Sequence, residues 1–201
     1  MISKSSLAIE LSKLKLFSNP KVSLEQYSTD SEIASDVLWN AYMKGDIKDK
    51  IIIDAGCGTG ILGIGCLFLG AKKVFFVDID ENALKTCKEN LEEYDYDNNE
   101  IIKSEISKIT LKADMLIQNP PFGSQNKHAD RVFLEKAITY PIAYSFHMKE
   151  TDDFIRKFTK QSKITQSWKY SFPLKSSMKF HTKKITRIDV NVYRFEKQKH
   201  I

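Results

Sequence analysis

The stretch Ile51-Ile52-Ile53-Asp54-Ala55-Gly56-Cys57-Gly58-Thr59-Gly60 decides the fold. An apolar run of strand length precedes its glycines, and a longer apolar run, residues 61–69, follows them. The first run predicts a short buried strand and the second a helix. Glycines at such a junction let the backbone turn sharply and let a ligand lie against it, because a Cβ would intrude. The stretch therefore predicts a strand, a ligand-binding loop and a helix.

The alternation of strands and helices continues along the chain. Besides the strand at 51–54, strands are predicted at residues 74–78, 101–102, 115–119, 142–145, 164–172 and 184–195. Helices are predicted at residues 5–17, 29–42, 61–69, 81–93, 130–139 and 151–162. A capping box, Thr29-x-x-Glu32, is expected to open the second helix. The pattern indicates a Rossmann-like α/β fold, a mostly parallel seven-stranded sheet with helices on both faces and an antiparallel C-terminal edge.

The composition is that of an ordinary globular protein, with 42% hydrophobic and 28% charged residues. No repeat or linker divides the chain, so we expect a single domain over residues 1–201: an N-terminal helical segment, 1–45, and a core with a basic C-terminal region, 46–201. No apolar run reaches the length of a membrane span and no signal peptide opens the sequence, so no membrane association is expected. The three cysteines form no C-x-x-C pair, which favours a reducing, cytoplasmic compartment, and no metal site is expected.

Charge is unevenly distributed along the chain. Residues 154–201 hold 13 Lys and Arg against two acidic residues, a net charge of +11, whereas residues 1–153 carry a net charge of −6. A basic C-terminal quarter on an acidic body suggests a polyanionic partner, and a solvated lysine-rich surface is an equal alternative on charge alone.

The glycine loop and the acids around it indicate a nucleoside cofactor. The loop has the spacing G-x-G-x-G at Gly56, Gly58 and Gly60, which departs from the dinucleotide fingerprint G-x-G-x-x-G. Asp54, before the glycines, suits a cofactor with a cationic amino group better than one with a pyrophosphate. Asp78 ends the next strand, where a carboxylate can accept hydrogen bonds from ribose hydroxyls. These features favour S-adenosylmethionine over NAD, with a tight turn that binds no ligand as the alternative.

A second motif, Asn119-Pro120-Pro121-Phe122, follows the fourth strand at the edge where α/β sheets bind ligands. An exocyclic amine on adenine is a poor nucleophile because its lone pair is delocalised into the ring. Two acceptors that hold its protons, the Asn119 side-chain carbonyl and the Pro120 backbone carbonyl, would direct the lone pair toward a methyl group. Proline stiffens the loop, and Phe122 offers a face on which a flipped base can stack.

Together, residues 54–60 and 119–122 resemble the signature of class I methyltransferases that modify planar amide or amine nitrogens. The stretches Glu25-Gln-Tyr-x-Thr29, Tyr144-Ser-x-His147 and 178–184 extend this likeness over nearly the whole chain. It resembles the methyltransferase-like group that makes N6-methyladenosine in small-subunit ribosomal RNA.

The resemblance implies further contacts. Gln26, Tyr27 and Thr29 would close over the cofactor from the N-terminal segment. Glu105 stands where family members usually carry an Asp near the adenine of the cofactor. Relatives work with a small zinc-binding activator protein that pairs with an exposed sheet edge.

If the site methylates adenine, we expect the basic C-terminal quarter to bind RNA. That quarter mixes cations with an aromatic side chain, the composition that holds a phosphate backbone and stacks a base, at Lys179, Phe180, His181, Lys183 and Lys184. His147 is a further candidate for facing the substrate. No inserted segment is large enough to read and open a DNA duplex, which favours structured RNA.

Two other functions remain open on the sequence. A protein glutamine methyltransferase would use the same Asn-Pro-Pro motif, although such enzymes usually carry a tyrosine at the position of Phe122 and a separate helical domain. A nucleoside-binding or RNA-binding protein without catalysis is the other alternative, and the intact Asn119, Pro120 and Phe122 argue against it.

Overall fold

The computed structural model describes residues 2–122, 129–159, 162–174 and 186–198. Within these ranges seven strands form one sheet: β1 (Ile51–Ala55), β2 (Lys73–Asp78), β3 (Asn99–Lys103), β4 (Met115–Gln118), β5 (Ile142–Met148), β6 (Ser162–Leu174) and β7 (Thr186–Lys197). Their order is β3-β2-β1-β4-β5-β7-β6. The first five strands are parallel, and β7 pairs antiparallel with both β5 and β6. The predicted sheet and its antiparallel edge are confirmed.

Six α-helices lie in the described residues: α1 (Lys4–Ser12), α2 (Ser31–Met43), α3 (Ile61–Phe68), α4 (Glu81–Glu92), α5 (Ala129–Ala137) and α6 (Asp152–Phe158). Alternate strand residues face opposite sides of the sheet. Ile52 and Phe76 join a core with the buried faces of α1 to α4, whereas Ile53 and Val77 join a second core with Leu134 of α5 and α6. Helices therefore cover both faces. No helix in these ranges is long and apolar enough to cross a membrane.

The first helix is shorter than predicted. It ends at Ser12, five residues before Phe17. The backbone of Lys15 turns instead to the buried side chain of Asn90 on α4, which accepts from the Lys15 N–H at 2.8 Å and donates to the Lys15 carbonyl at 3.1 Å. The following residues, 16–30, run toward the carboxyl edge of the sheet and contain one short 3-10 helix, Val22–Leu24.

The predicted capping box at Thr29 is wrong. The N-cap of α2 is Asp30, whose carboxylate accepts the backbone N–H groups of Glu32 and Ile33. Asp30 provides a charged acceptor at the positive end of the helix, which stabilises it more than a hydroxyl does. The hydroxyl of Thr29 is consequently available for another contact.

Candidate active site

A cavity of about 380 Å³ opens where β1, β2 and β4 end. The carboxyl edge of a parallel sheet is where α/β folds bind ligands, and a cavity of this size suits a small molecule. The residues predicted from sequence that line it are Gln26, Tyr27, Thr29, Asp54, Gly56, Gly58, Asp78, Glu105, Asn119 and Pro121. The fold thus brings together the two motifs and the N-terminal segment.

The glycine loop is shaped for a close approach at Gly58. Its φ is +55°, and a Cβ there would lie 2.7 Å from the ring of Phe17, so only glycine keeps this wall of the cavity in place. Gly60, in contrast, does not line the cavity. It has φ of +91° at the start of α3, and a Cβ would lie 2.6 Å from the Cys87 sulfur. Gly60 therefore serves the turn between loop and helix rather than a ligand.

Asp54 is a buried acid beneath the cavity, with 1% of its surface exposed. Its Oδ2 accepts the Gly63 N–H at 2.7 Å, at the first turn of α3. Burial raises the pKa of Asp54 to about 7, and the Gly63 hydrogen bond only partly offsets that effect. Asp54 forms no ion pair among the described residues, so a cationic group in the cavity would favour its ionised form.

Asp78 holds the loops on either side of it. One carboxyl oxygen accepts the Gly58 N–H at 2.8 Å, and the other accepts the Asp80 N–H at 2.8 Å. Burial raises the pKa of Asp78, and both backbone hydrogen bonds oppose the rise. A carboxylate has about four lone-pair sites, more than these backbone contacts use, so Asp78 can bind a ligand while it fixes the glycine loop.

Asp80 ties the N-terminal segment to the sheet. It caps α4 through the Asn82 N–H. Its two oxygens also accept from Lys21 at 2.5 Å and from the Gln26 side-chain amide at 2.7 Å. Because the Gln26 carbonyl accepts the Lys21 N–H at 2.8 Å, both polar ends of Gln26 are occupied within the protein. Gln26 therefore anchors the segment that covers the cavity.

The side-chain amide of Asn119 is oriented by Thr29. The Asn119 Nδ2 donates to the Thr29 hydroxyl at 2.9 Å. The Asn119 Oδ1 is buried and has no hydrogen-bond partner among the described residues. The described residues contain two other such oxygens, Gln118 Oε1 and Asn191 Oδ1, but neither residue lines the cavity. A buried carbonyl without a donor costs roughly 1–3 kcal/mol. The Asn119 oxygen is an acceptor in place for a donor from outside the protein.

Tyr27 contacts the rest of the motif. Its hydroxyl donates to the Pro120 carbonyl at 3.1 Å, and its ring stacks on Phe122 with centroids 5.0 Å apart. Phe172 of β6 packs edge-on against both rings. Tyr27 lines the cavity, whereas Phe122 does not. Two of the three features that the sequence suggested for holding an adenine, the Pro120 carbonyl and the Phe122 ring, are therefore in contact with Tyr27.

His147 is a core residue, in contrast to the expectation that it faces RNA. Only 1% of it is exposed, and burial lowers its pKa to about 3. Its Nε2 lies 2.7 Å from the Ser145 hydroxyl, which also receives the Gln118 amide at 2.8 Å. The burial of β5 on both faces leaves this side chain no path to a substrate. The other predicted RNA-binding residues lie outside the described residues: Lys179, Phe180, His181, Lys183 and Lys184.

Several apolar side chains of the cavity wall were not predicted, among them Phe17, Ile79, Val132 and Phe133. Ile79 follows β2, stands between Asp78 and Asp80, and is 52% exposed. The sequence does show an isoleucine between two acids just after a strand, and that pattern could have indicated a contact with a flat apolar ligand. Phe17 and Phe133 come from distant segments, so no local pattern indicated them.

Comparisons with known proteins agree with this site. Residues 13–140 match the sequence family described as the methyltransferase small domain. An uncharacterised protein of Methanocaldococcus jannaschii is 38% identical, over 98% of this chain and 95% of its own. The rRNA N6-adenosine-methyltransferase METTL5 of Danio rerio is 36% identical, over 89% and 91%. The crystal structure of a Pyrococcus horikoshii protein, provisionally described as an RNA methyltransferase, is 44% identical over 98% of both chains, with a TM-score of 0.91. The chain belongs to the methyltransferase small domain family, in the group that includes METTL5.

Proposed function

We propose that this protein transfers a methyl group from S-adenosylmethionine to the exocyclic N6 of an adenine in ribosomal RNA, on the small subunit. The observation that carries the proposal is the Asn119 Oδ1, a buried acceptor that has no partner in the described part of the chain. This oxygen lacks a hydrogen-bond donor, and the amine of a substrate would supply one. The relatives that match most of the chain include proteins named as rRNA N6-adenosine methyltransferases, which supports adenine as the source of that amine.

The residues of the cavity fit the proposed cofactor. When bound, S-adenosylmethionine supplies an electrophilic methyl group on a positively charged sulfur. Asp54 would hold its amino group, because a buried acid without a cationic partner favours a cation beside it. Asp78 would accept hydrogen bonds from the ribose hydroxyls while it keeps its contacts with the Gly58 and Asp80 N–H groups. Ile79 and Glu105 would flank the adenine.

The Asn119-Pro120 pair would act on the target base. The N6 amine would donate one hydrogen bond to the Asn119 Oδ1 and another to the Pro120 carbonyl. Together these bonds would direct the nitrogen lone pair out of the ring system. Because Thr29 fixes the Asn119 amide before substrate binds, little reorganisation is needed in the transition state. Phe122 would stack on the base, and the two prolines keep both acceptors rigid.

The substrate would be held by the basic C-terminal region. Its charge of +11 suits a phosphate backbone, and Lys179, Phe180, His181, Lys183 and Lys184 are the residues we propose for that contact. We infer that residues 1–201 work as a single domain, with residues 1–45 covering the cofactor. We also propose a zinc-binding activator on an exposed sheet edge and a cytoplasmic location, which three free, buried thiols fit.

The test is methyl transfer from labelled S-adenosylmethionine to unmodified ribosomal RNA transcripts or to total protein, each with and without the activator. We expect label in RNA, recovered as N6-methyladenosine after digestion. Asn119→Ala should lower turnover by about 10²-fold or more and leave cofactor affinity nearly unchanged. Asn40→Ala is the matched control, because its amide donates to the Asp36 carbonyl on α2, away from the cavity.

Other outcomes would contradict the proposal. Label in protein alone would indicate glutamine methylation, which uses the same Asn-Pro-Pro motif. Cofactor binding without any transfer would indicate a protein that binds a nucleoside without catalysis.

A further inference from the structure

Tyr27 makes two of the three contacts proposed for the target adenine. Its hydroxyl donates to the Pro120 carbonyl at 3.1 Å, where an N6 proton would bind. Its ring lies on Phe122 at 5.0 Å with 29° between the planes, as a stacked base would. A phenol is similar to an adenine in these respects, because both are flat and both carry a donor at the rim.

We propose that Tyr27 holds the place of the target adenine and is displaced when the base binds. The inference rests on the proposed function, since it concerns the same site. The face of Phe122 toward Tyr27 cannot be stacked by a base and by the phenol ring at once. When the base binds, its amine replaces the Tyr27 hydroxyl on the Pro120 carbonyl, and its ring replaces the Tyr27 ring on Phe122. While no RNA is bound, Tyr27 occupies both positions.

The segment around Tyr27 is built so that this side chain can leave alone. The backbone is anchored before it by the contacts of Gln26 with Asp80 and after it by the contact of Thr29 with Asn119. No α-helix or strand includes residues 13–30, so no backbone ladder of the sheet needs to break. Rotation of the Tyr27 side chain opens the site while Thr29 keeps the Asn119 amide oriented.

The hydroxyl is the part of Tyr27 that can be tested separately. Burial raises the pKa of Tyr27 well above 10, so the phenol stays protonated and remains a donor at neutral pH. Tyr27→Phe removes that donor and keeps the ring. If the hydrogen bond holds Tyr27 in place against the base, its loss should lower the KM for RNA about 2- to 10-fold, with kcat unchanged or raised.

Tyr140→Phe is the matched control for this variant. The Tyr140 hydroxyl also donates to a backbone carbonyl, that of Leu111, at 3.0 Å, and it does not line the cavity. The two variants thus lose the same kind of bond, and only Tyr27→Phe should change the KM for unmodified ribosomal RNA. A KM for Tyr27→Phe that equals or exceeds that of Tyr140→Phe would overturn the inference.

A second measurement keeps the ring and the hydroxyl of Tyr27 and does not depend on methyl transfer. With 3-fluorotyrosine incorporated at position 27 alone, the fluorine resonance should move toward the solvent-exposed position when adenosine monophosphate or unmodified ribosomal RNA is added. Uridine monophosphate is the control ligand and should leave the resonance in place. A resonance that stays buried with bound RNA would contradict displacement. Absence of transfer by the wild type would contradict the proposed function instead, and the fluorine signal would still decide the role of Tyr27.

Discussion

The Asn119 Nδ2 donates to the Thr29 hydroxyl across 2.9 Å, and this bond joins the end of β4 to the residue that precedes the cap of α2. An asparagine amide can present either end to a ligand. Since Thr29 holds the nitrogen, the oxygen is left as an acceptor without a donor among the described residues, which is the arrangement that an amine substrate requires. The orientation of the proposed catalytic amide is thus set by a residue 90 positions away.

Thr29→Val should therefore lower kcat about tenfold, because the Asn119 amide loses the bond that orients it. The substitution keeps the shape of the side chain, so KM for the cofactor should change little. Thr29→Ser restores the hydroxyl and should recover most of the rate. Steady-state kinetics of the three proteins check this role. A normal kcat for Thr29→Val would show that Asn119 is oriented by other contacts.

Asp78 should affect both cofactor affinity and stability. Asp78→Ala removes an acceptor for the ribose, which should weaken S-adenosylmethionine binding by roughly 2–3 kcal/mol, and it also leaves the Gly58 and Asp80 N–H groups without their partner. Asp78→Asn keeps one acceptor oxygen and should lose less cofactor affinity and less stability than Asp78→Ala. Calorimetric titration and thermal unfolding measure the two effects. Full cofactor affinity in Asp78→Ala would remove Asp78 from the cofactor site.

The glycine loop and the Asn-Pro-Pro-Phe motif could be predicted because their signals are local. A strand, a glycine turn and a helix are adjacent in sequence, and the sheet then brings residues 54, 78 and 119 to one edge. Helix ends were less predictable. The end of α1 depends on Asn90, 75 residues from Lys15, and no pattern near Ser12 announces that contact.

The contacts within the site were also beyond local patterns. Tyr27 and Pro120 are 93 residues apart, so the sequence could assign each to the site but not to each other. His147 was more open to prediction. Ala143, Ser145 and His147 alternate along a strand that is central in the sheet, and that spacing directs all three toward one buried core.

His147 should make stability depend on pH. Burial lowers its pKa to about 3, below the ordinary value near 6.5, so between these values the unfolded chain binds more protons than the folded one. The stabilisation from neutral His147 is fully present above pH 6.5 and is lost as pH falls toward 3, by up to about 1.4 kcal/mol per pH unit.

The comparison with His147→Gln isolates this effect. Asp54 titrates in the opposite sense, because its raised pKa makes stability fall as pH rises toward 7, but it does so in both proteins. Urea unfolding at several pH values from 4 to 7 should show the advantage of the wild type shrinking as pH falls. A constant difference between the two proteins would mean that His147 is not held neutral.

The basic C-terminal region should make RNA binding depend on salt. Each lysine in contact with a phosphate releases a counterion, so the log–log slope of affinity against salt is roughly −0.7 per contact on single-stranded RNA. Replacing Lys179, Lys183 and Lys184 together should flatten the slope by about two units. The triple variant should raise KM for RNA far more than it lowers kcat, because these groups position the substrate without touching the reacting amine.

The matched control is a second triple variant, at Lys44, Lys72 and Lys112. These exposed lysines belong to the first 153 residues and lie near the amino ends of β1, β2 and β4, at the edge of the sheet opposite the cavity. Both variants lose three charges, so a general electrostatic effect of net charge would change both slopes equally. A contact with RNA changes only the slope of the C-terminal variant. RNA affinity should be measured from about 50 to 300 mM salt. Parallel log–log lines of affinity against salt for the wild type and the C-terminal variant would mean that the basic region is only a solvated surface.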